Sequence, residues 1–282
     1  MKSAANLLHS ELIPARDAAS RRLLIMLHGL GDSIAGFRWL PPALNLPWLN
    51  YLLVNAPDQY YGGYSWYDFI GDMSPGVQRS RNMLFELLDA QRVAGFRPDQ
   101  TVLGGFSQGC LMSLDVGLRY THRLAGIIGI SGYVFEPDKL LKELSPVGMQ
   151  QRVLMTHGTL DPLIPFTMVR KQIDLLTSAG LRIEWHEFIK PHTIAGEPEL
   201  AVIRNFIRRC YVGGYGCPRD LPISRPPITN HYWSITGYPS EARFALGAEP
   251  GSVANRRPGQ PPDASVETTN LPGSAAFGAE SF

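Results

Sequence analysis

The chain has 282 residues, of which 44% are hydrophobic and 18% are charged, so it can form one large domain or two small ones with a substantial core. Its formal net charge of +1 gives no electrostatic reason to expect nucleic acid or an anionic membrane as a partner. Three cysteines without metal-ligand spacing are typical of a reducing compartment rather than of a disulfide framework. We therefore expect a cytoplasmic globular protein that binds no metal.

The N-terminal residues 1–11 contain Lys2 but no apolar run long enough for the core of a signal peptide. The first apolar run, residues 23–27, is too short to span a bilayer and is typical of a buried parallel strand. A loop with two glycines, residues 28–33, follows it at the position where open α/β sheets bind ligands. The sequence thus predicts a central strand that leads into a functional loop, and no stable membrane insertion.

Predicted strands and helices alternate along the rest of the chain as far as Arg209. The other predicted strands cover residues 51–54, 102–103, 124–130, 153–156 and 181–189. The predicted helices cover residues 75–93, 138–144, 167–179 and 197–209, together with one that begins near Cys110. This alternation favours an α/β fold with a mostly parallel central sheet and helices on both faces.

The segment Gly105-Phe106-Ser107-Gln108-Gly109 lies between a predicted strand and a predicted helix. A G-x-S-x-G motif in that context holds a serine hydroxyl clear of the sheet at a sharp turn, and the glycines remove side chains that would clash. Ser107 is therefore a candidate nucleophile, with an ordinary turn serine as the alternative.

Beyond Tyr211 the composition changes. Proline and glycine make up roughly a quarter of the remaining residues, without a periodic apolar pattern, which is at the edge of the range typical of disorder. We expect a catalytic domain in residues 1–211 and a disordered, dispensable tail in residues 212–282.

Four blocks of sequence resemble the small α/β-hydrolases that comprise bacterial carboxylesterases and the acyl-protein thioesterases/lysophospholipases. They are Leu27-His28-Gly29-Leu30-Gly31-Asp32-Ser33 with Gly36-Phe37, Ser65-Trp66-Tyr67-Asp68, Gly105-Phe106-Ser107-Gln108-Gly109, and Thr156-His157-Gly158-Thr159-Leu160-Asp161-Pro162-Leu163-Ile164-Pro165. A weaker fifth block, Trp185-His186-Glu187-Phe188, precedes His192. The resemblance implies an α/β-hydrolase fold with a minimal lid.

The resemblance also implies a catalytic triad, with Ser107 as nucleophile, His192 as general base and Asp161 as the residue that orients the histidine. The backbone N–H groups of Leu30 and Gln108 would hold the oxyanion. No cofactor is implied.

Other residues could serve as the general base or as the carboxylate that orients it. His28, His157 and His186 are the rival histidines, and Asp115 and Asp174 are carboxylates in predicted helices.

Three side chains are predicted to contact substrate: Trp66, Phe37 and Leu163. Aromatic side chains like those in residues 60–69 serve more often in packing than in a pocket, so packing is the alternative for Trp66. Leu163 could equally belong to the core.

Two positions depart from the family pattern. Cys110 stands where a small residue, commonly glycine, is usual, and a buried cysteine is expected to fit there. Lys190-Pro191 precedes His192 where the family tends to have glycine directly before the histidine, so the loop is expected to have a different shape.

The sequence as a whole predicts a serine carboxylesterase that acts on a small ester or thioester substrate. The alternatives are an acyl-protein thioesterase or lysophospholipase, and a non-catalytic binding protein with a hydrolase fold. We expect no nucleic-acid partner, and a homodimer is left open.

Overall fold

The computed structural model describes residues 8–212. Its nine strands are β1 (Ser10–Ile13), β2 (Leu23–Leu27), β3 (Asn50–Val54), β4 (Asp58–Tyr60), β5 (Gly63–Ser65), β6 (Thr101–Phe106), β7 (Gly126–Ile130), β8 (Arg152–Gly158) and β9 (Arg182–Phe188). Its seven α-helices are α1 (Ile34–Phe37), α2 (Leu40–Leu44), α3 (Ser74–Val93), α4 (Gln108–Arg119), α5 (Pro137–Lys142), α6 (Phe166–Ser178) and α7 (Glu197–Val212). Short 3₁₀ helices at Pro98–Gln100 and Gly148–Gln150 precede β6 and β8.

Seven strands form the central sheet in the order β1-β3-β2-β6-β7-β8-β9. β1 pairs antiparallel with β3, and all the other neighbouring pairs in this sheet are parallel. The parallel strands therefore end at one common edge of the sheet, where the loops that follow them meet. β4 and β5 form a separate two-stranded hairpin.

The sheet is covered on both faces, because each central strand contributes apolar side chains to two cores. In β2, Leu23, Ile25 and Leu27 belong to one core, which also contains residues of α3, α4 and α6. Leu24 and Met26, which alternate with them, belong to a second core that contains residues of α1, α2 and α7. A continuous apolar run is thus what this position in the sheet requires.

The predicted fold class is confirmed. The predicted strand at residues 23–27 has the same bounds in the structure, and the helix predicted at 75–93 begins one residue earlier. β1 and the β4–β5 hairpin were not predicted, because each is only three or four residues long and partly exposed. Short strands carry little periodic signal, so tertiary pairing decides them.

The last helix, α7, continues to Val212, beyond the predicted end at Arg209. Apart from Val212, the predicted tail of residues 212–282 lies outside the described residues. No helix in the described part of the chain is long and apolar enough to cross a membrane.

Candidate active site

Three polar side chains meet at the carboxyl edge of the sheet. Ser107 follows β6 directly, Asp161 lies in the loop after β8, and His192 lies in the loop after β9. Since β6, β8 and β9 are parallel strands of one sheet, these loops emerge on the same side. The topology therefore brings together residues that are far apart in the sequence.

Ser107 sits at a sharp turn between β6 and α4. Its backbone has φ 54° and ψ −115°, a region that a non-glycine residue adopts only when the surrounding structure requires it. Its N–H donates to the carbonyl of Ile130 at 2.9 Å, which ties the turn to the neighbouring strand. The side chain is thus presented at the top of the sheet by a strained but well-anchored backbone.

The glycines of the G-x-S-x-G motif are explained by close backbone contacts. A Cβ atom on Gly105 would lie 2.0 Å from the carbonyl oxygen of Gly109. A Cβ atom on Gly109 would lie 2.3 Å from the carbonyl oxygen of Leu27, at the end of β2. Both distances are far too short for a real contact, so only glycine lets α4 start this close to the sheet.

Ser107, His192 and Asp161 form a continuous hydrogen-bonded chain. His192 Nε2 lies 2.9 Å from Ser107 Oγ, and His192 Nδ1 lies 2.7 Å from Asp161 Oδ2. Because an ionised carboxylate only accepts, Nδ1 carries the proton that it donates to Asp161, and Nε2 is left to accept from the Ser107 hydroxyl. This is the tautomer that a general base toward Ser107 needs.

The carboxylate of Asp161 is buried and held by several donors. Its Oδ1 accepts the backbone N–H groups of Leu163 at 2.9 Å and of Ile164 at 3.0 Å. Burial by itself would raise the pKa of Asp161, but the hydrogen bond from His192 and these backbone donors outweigh it, so the pKa lies below its usual value. Asp161 is therefore ionised at neutral pH, as a partner for an imidazolium must be.

The predicted oxyanion donors, Leu30 and Gln108, lie on two neighbouring segments at the same edge. Gln108 is the first residue of α4, so its N–H is one of the donors that have no acceptor within the helix. Leu30 follows Gly29 in the loop after β2, and that loop is tied to β5 by the Gly31 N–H, which donates to the Tyr64 carbonyl at 2.9 Å. The assignment of both N–H groups to an oxyanion stays a prediction.

The side chain of Gln108 has a structural role that sequence reasoning did not identify. Its Oε1 accepts the N–H of Trp66 at 3.0 Å, and its Nε2 donates to the carbonyl of Tyr67 at 2.9 Å. This buried amide therefore fixes the segment after β5 to the start of α4. The sequence offered one indication of this contact: the Ser65-Trp66-Tyr67-Asp68 block and the Ser107-Gln108 pair are both among the segments that resemble the family.

Two of the three predicted substrate-binding side chains lie in the core. Trp66 and Phe37 are 0% and 1% exposed. Trp66 Nε1 donates to the carbonyl of His28 at 2.9 Å and so braces the loop that contains Leu30. Burial of this degree does not support direct contact of either aromatic ring with substrate, whereas Leu163 is half-buried beside Asp161.

The rival carboxylates lie in helices, as predicted. Asp115 in α4 is buried in an ion pair with Arg81 at 2.5 Å, and it also pairs with Arg119. Asp174 in α6 is exposed and pairs with Arg170 at 3.0 Å. Both carboxylates are thus engaged away from His192.

The rival histidines have hydrogen-bond partners of their own. His157 is fully buried, with Nε2 3.0 Å from the carbonyl of Ile164, and His186 lies 2.9 Å from Glu184. His28 is held between two backbone groups: its Nδ1 donates to the Gly29 carbonyl at 2.6 Å and its Nε2 accepts the Ala56 N–H at 3.0 Å.

Stability is expected to depend on pH through His28, because its ring is buried and Nε2 can accept the Ala56 N–H only when the ring is neutral. Burial lowers the pKa of His28 from 6.5 to about 4. The unfolded state therefore binds the proton more readily, so the stabilisation is complete above pH 6.5 and is lost as the pH falls toward the folded pKa. Between pH 7 and pH 5 this effect is about 2 kcal/mol of unfolding free energy.

Urea denaturation at the two pH values measures this dependence. His28→Gln should show a loss between pH 7 and pH 5 that is about 2 kcal/mol smaller than that of the wild type. His122→Gln is the control, since it makes the same substitution at an exposed histidine. Equal pH dependence in His28→Gln and wild type would contradict the assignment.

The two departures from the family pattern are accommodated. Cys110 is fully buried, as predicted, and burial raises its pKa to about 12. Pro191 is exposed at the surface, and the Thr193 N–H donates to its carbonyl at 2.8 Å. His192 nevertheless reaches both Ser107 and Asp161.

Comparison with known proteins agrees with this architecture. Residues 8–211 match the family described as Phospholipase/Carboxylesterase. Acyl-protein thioesterase 1 of Yarrowia lipolytica is 31% identical over 214 residues, which cover 69% of this chain and 94% of that protein. Acyl-protein thioesterase 1 of Schizosaccharomyces pombe is 37% identical over 155 residues, which cover 50% of this chain and 69% of that protein.

A solved structure shows the same likeness in three dimensions. The crystal structure of esterase PE8 superposes with a TM-score of 0.63 and 30% identity, covering 72% of this chain and 99% of that chain. The predicted resemblance is thus confirmed. The chain belongs to the phospholipase/carboxylesterase family of ester hydrolases, with the α/β-hydrolase fold.

Proposed function

We propose that the protein is a serine carboxylesterase that hydrolyses short- to medium-chain carboxylic esters through an acyl-enzyme. The observation that carries the proposal is the hydrogen-bonded chain from Ser107 through His192 to Asp161. The site is largely closed to solvent: Ser107 is 6% exposed, and the side chains of His192 and Asp161 are 5% and 0% exposed. In such a site the hydroxyl, the base and the carboxylate are already oriented before substrate binds.

The reaction proceeds in two stages. Ser107 Oγ attacks the ester carbonyl while His192 Nε2 takes its proton, and Asp161 stabilises the imidazolium that forms. The proton then passes to the departing alcohol, which leaves an acyl group on Ser107. His192 then takes a proton from water, which attacks this acyl group. The bond to Ser107 Oγ breaks as His192 returns the proton to that oxygen, and the acid is released.

The tetrahedral intermediates in both stages carry a negative oxygen. We assign its stabilisation to the N–H groups of Gln108 and Leu30, each worth about 3 kcal/mol in the transition state. The N-terminal end of α4 adds the positive end of a helix dipole beside Ser107.

Acyl-protein thioesterase action is the alternative, and the two relatives named acyl-protein thioesterase 1 favour it. The same triad would cleave a thioester, with a thiol in place of the alcohol as leaving group. Lysophospholipase action would use the same steps on a larger ester. A non-catalytic role is disfavoured by the assembled triad, and wild-type protein that is folded yet unreactive toward a fluorophosphonate probe would favour it.

Comparison of three substrates tests the assignment. We expect p-nitrophenyl butyrate to give a higher kcat/KM than palmitoyl-CoA or lysophosphatidylcholine, measured with the same enzyme preparation. If palmitoyl-CoA gives the highest kcat/KM, the protein is a thioesterase instead. If lysophosphatidylcholine gives the highest kcat/KM, it is a lysophospholipase. The cytoplasmic location also stays a prediction, and the homodimer stays open.

A further inference from the structure

An ion pair that the reaction does not use lies buried beside the triad. Lys190 Nζ is 2.5 Å from Glu199 Oε1, and both side chains are 0% exposed. Lysine and glutamate are almost never fully buried unless they are paired. Pairing explains how these two charges can be buried here, but it does not explain why charged residues occupy these positions.

The ion pair closes the loop that carries His192. Lys190 precedes His192 by two residues, and Glu199 follows it in the first turn of α7. The second oxygen of Glu199, Oε2, accepts the N–H of Ala195 at 2.6 Å. One carboxylate thus holds both sides of the loop, with His192 between the two points of attachment.

Lys190 is also attached to the segment that carries Asp161. Its carbonyl accepts the N–H of Leu160, the residue before Asp161, at 3.2 Å. A Cβ atom on Gly158 would lie 2.3 Å from the same carbonyl, so the end of β8 packs directly against the Lys190 backbone. The position of Lys190 therefore relates three segments: the Asp161 loop, the His192 loop and α7.

Net stabilisation is a poor explanation for this pair. Burial disfavours the ammonium group and lowers the pKa of Lys190, while attraction to Glu199 opposes that shift. Buried ion pairs can often be replaced by apolar residues of similar volume without loss of stability. The ion pair joins Lys190 to the first turn of α7 through a direct polar contact of 2.5 Å, which apolar side chains of similar volume would not make.

We propose that Lys190 and Glu199 are positioning residues whose ion pair holds the loop of residues 190–199 so that His192 spans Ser107 and Asp161. This inference rests on the proposed function, in which His192 is the general base. A displacement of about 1 Å in a catalytic group can cost about 100-fold in rate, which makes the separation set by the pair important.

The test is the double variant Lys190→Met/Glu199→Gln, which removes both charges and nearly conserves side-chain volume. We expect its melting temperature to stay close to that of the wild type while kcat for p-nitrophenyl butyrate falls by about 10- to 100-fold. KM should change less than about twofold, since the loss lies in the alignment of the base. The rate of fluorophosphonate labelling should fall in parallel with kcat.

A matched control removes the same two charges from an exposed helical pair. Arg170 and Asp174 in α6 form an ion pair at 3.0 Å, and both side chains are well exposed. Arg170→Met/Asp174→Asn should leave kcat and the labelling rate unchanged. A folded Lys190→Met/Glu199→Gln protein with wild-type kcat would overturn the proposal.

A second variant covers the case in which the double variant does not fold. Glu199→Asp keeps both charges but shortens the carboxylate side chain by one methylene, so the loop must shift or the ion pair must open. We expect folded protein with kcat lowered by about tenfold. Wild-type kcat in folded Glu199→Asp would also overturn the positioning role.

Proton NMR separates this proposal from the proposed function. The far-downfield resonance of His192 Nδ1–H, which arises from its hydrogen bond to Asp161, requires no turnover. We expect it in the wild type and expect its loss in Lys190→Met/Glu199→Gln. If the wild type shows the resonance but hydrolyses no ester, the proposed function fails while the positioning role is still tested. An unchanged resonance in the variant would overturn that role.

Discussion

Ser107→Ala is expected to lower kcat for p-nitrophenyl butyrate by about 10⁴- to 10⁶-fold and to abolish covalent labelling by a fluorophosphonate. Alanine has no oxygen to form the acyl-enzyme, and the only remaining route is attack by water within the oxyanion site. The fold should survive, because the turn depends on the glycines at positions 105 and 109 and on the Ser107 N–H, which the variant retains.

Ser113 provides the matched control, since it is a buried serine in the same helix. Its hydroxyl oxygen lies 2.9 Å from the carbonyl of Cys110 and 3.2 Å from that of Ile128, so its one proton is donated within the helix or to β7, and it has no place in the proposed reaction. Ser113→Ala should keep probe labelling and most of the esterase activity. Labelling of Ser107→Ala at the wild-type rate would remove Ser107 from the mechanism.

Asp161→Asn is expected to lower kcat by about 10⁴-fold with little change in KM. The new amide oxygen would accept the backbone N–H groups that Asp161 Oδ1 now accepts, those of Leu163 and Ile164. Its NH₂ group would then face His192 Nδ1 and donate to it. The proton of the ring would move to Nε2, which could no longer accept from Ser107.

Steady-state hydrolysis of p-nitrophenyl butyrate measures this loss, and the labelling rate should decrease in the same proportion. Asp174→Asn is the appropriate comparison, because Asp174 is an exposed carboxylate in α6 and should be dispensable for activity. Activity within tenfold of the wild type in Asp161→Asn would mean that another group orients His192.

The sheet and the serine turn could be predicted because the physical constraints on them are local. A run such as Leu23 to Leu27 has no polar side chain to face solvent, so it must be buried on both faces. The glycines around Ser107 are required by backbone contacts within the turn and with the strand end beside it. Signals of this kind can be read from a few consecutive residues.

Local sequence patterns reduced the number of candidate histidines and aspartates for the triad, but they did not identify which of them contact Ser107. His192 is 85 positions from Ser107 and 31 positions from Asp161, and the chain contains other histidines and aspartates. The resemblance to a family pointed to this pair. The structure distinguishes them by distance, since it places His192 within hydrogen-bonding range of both residues.

The sequence by itself determined the order of the parallel strands and the longer helices, the fold class and the position of the serine turn, because these follow from hydrophobic periodicity and from glycine at sites without room for a side chain. Only the tertiary structure decided which side chains meet. Trp66, whose aromatic character suggested a binding surface, is core packing beneath the Leu30 loop. Lys190, to which the sequence assigned no role of its own, is a buried partner of Glu199, because burial and charge pairing depend on how β8, β9 and α7 come together.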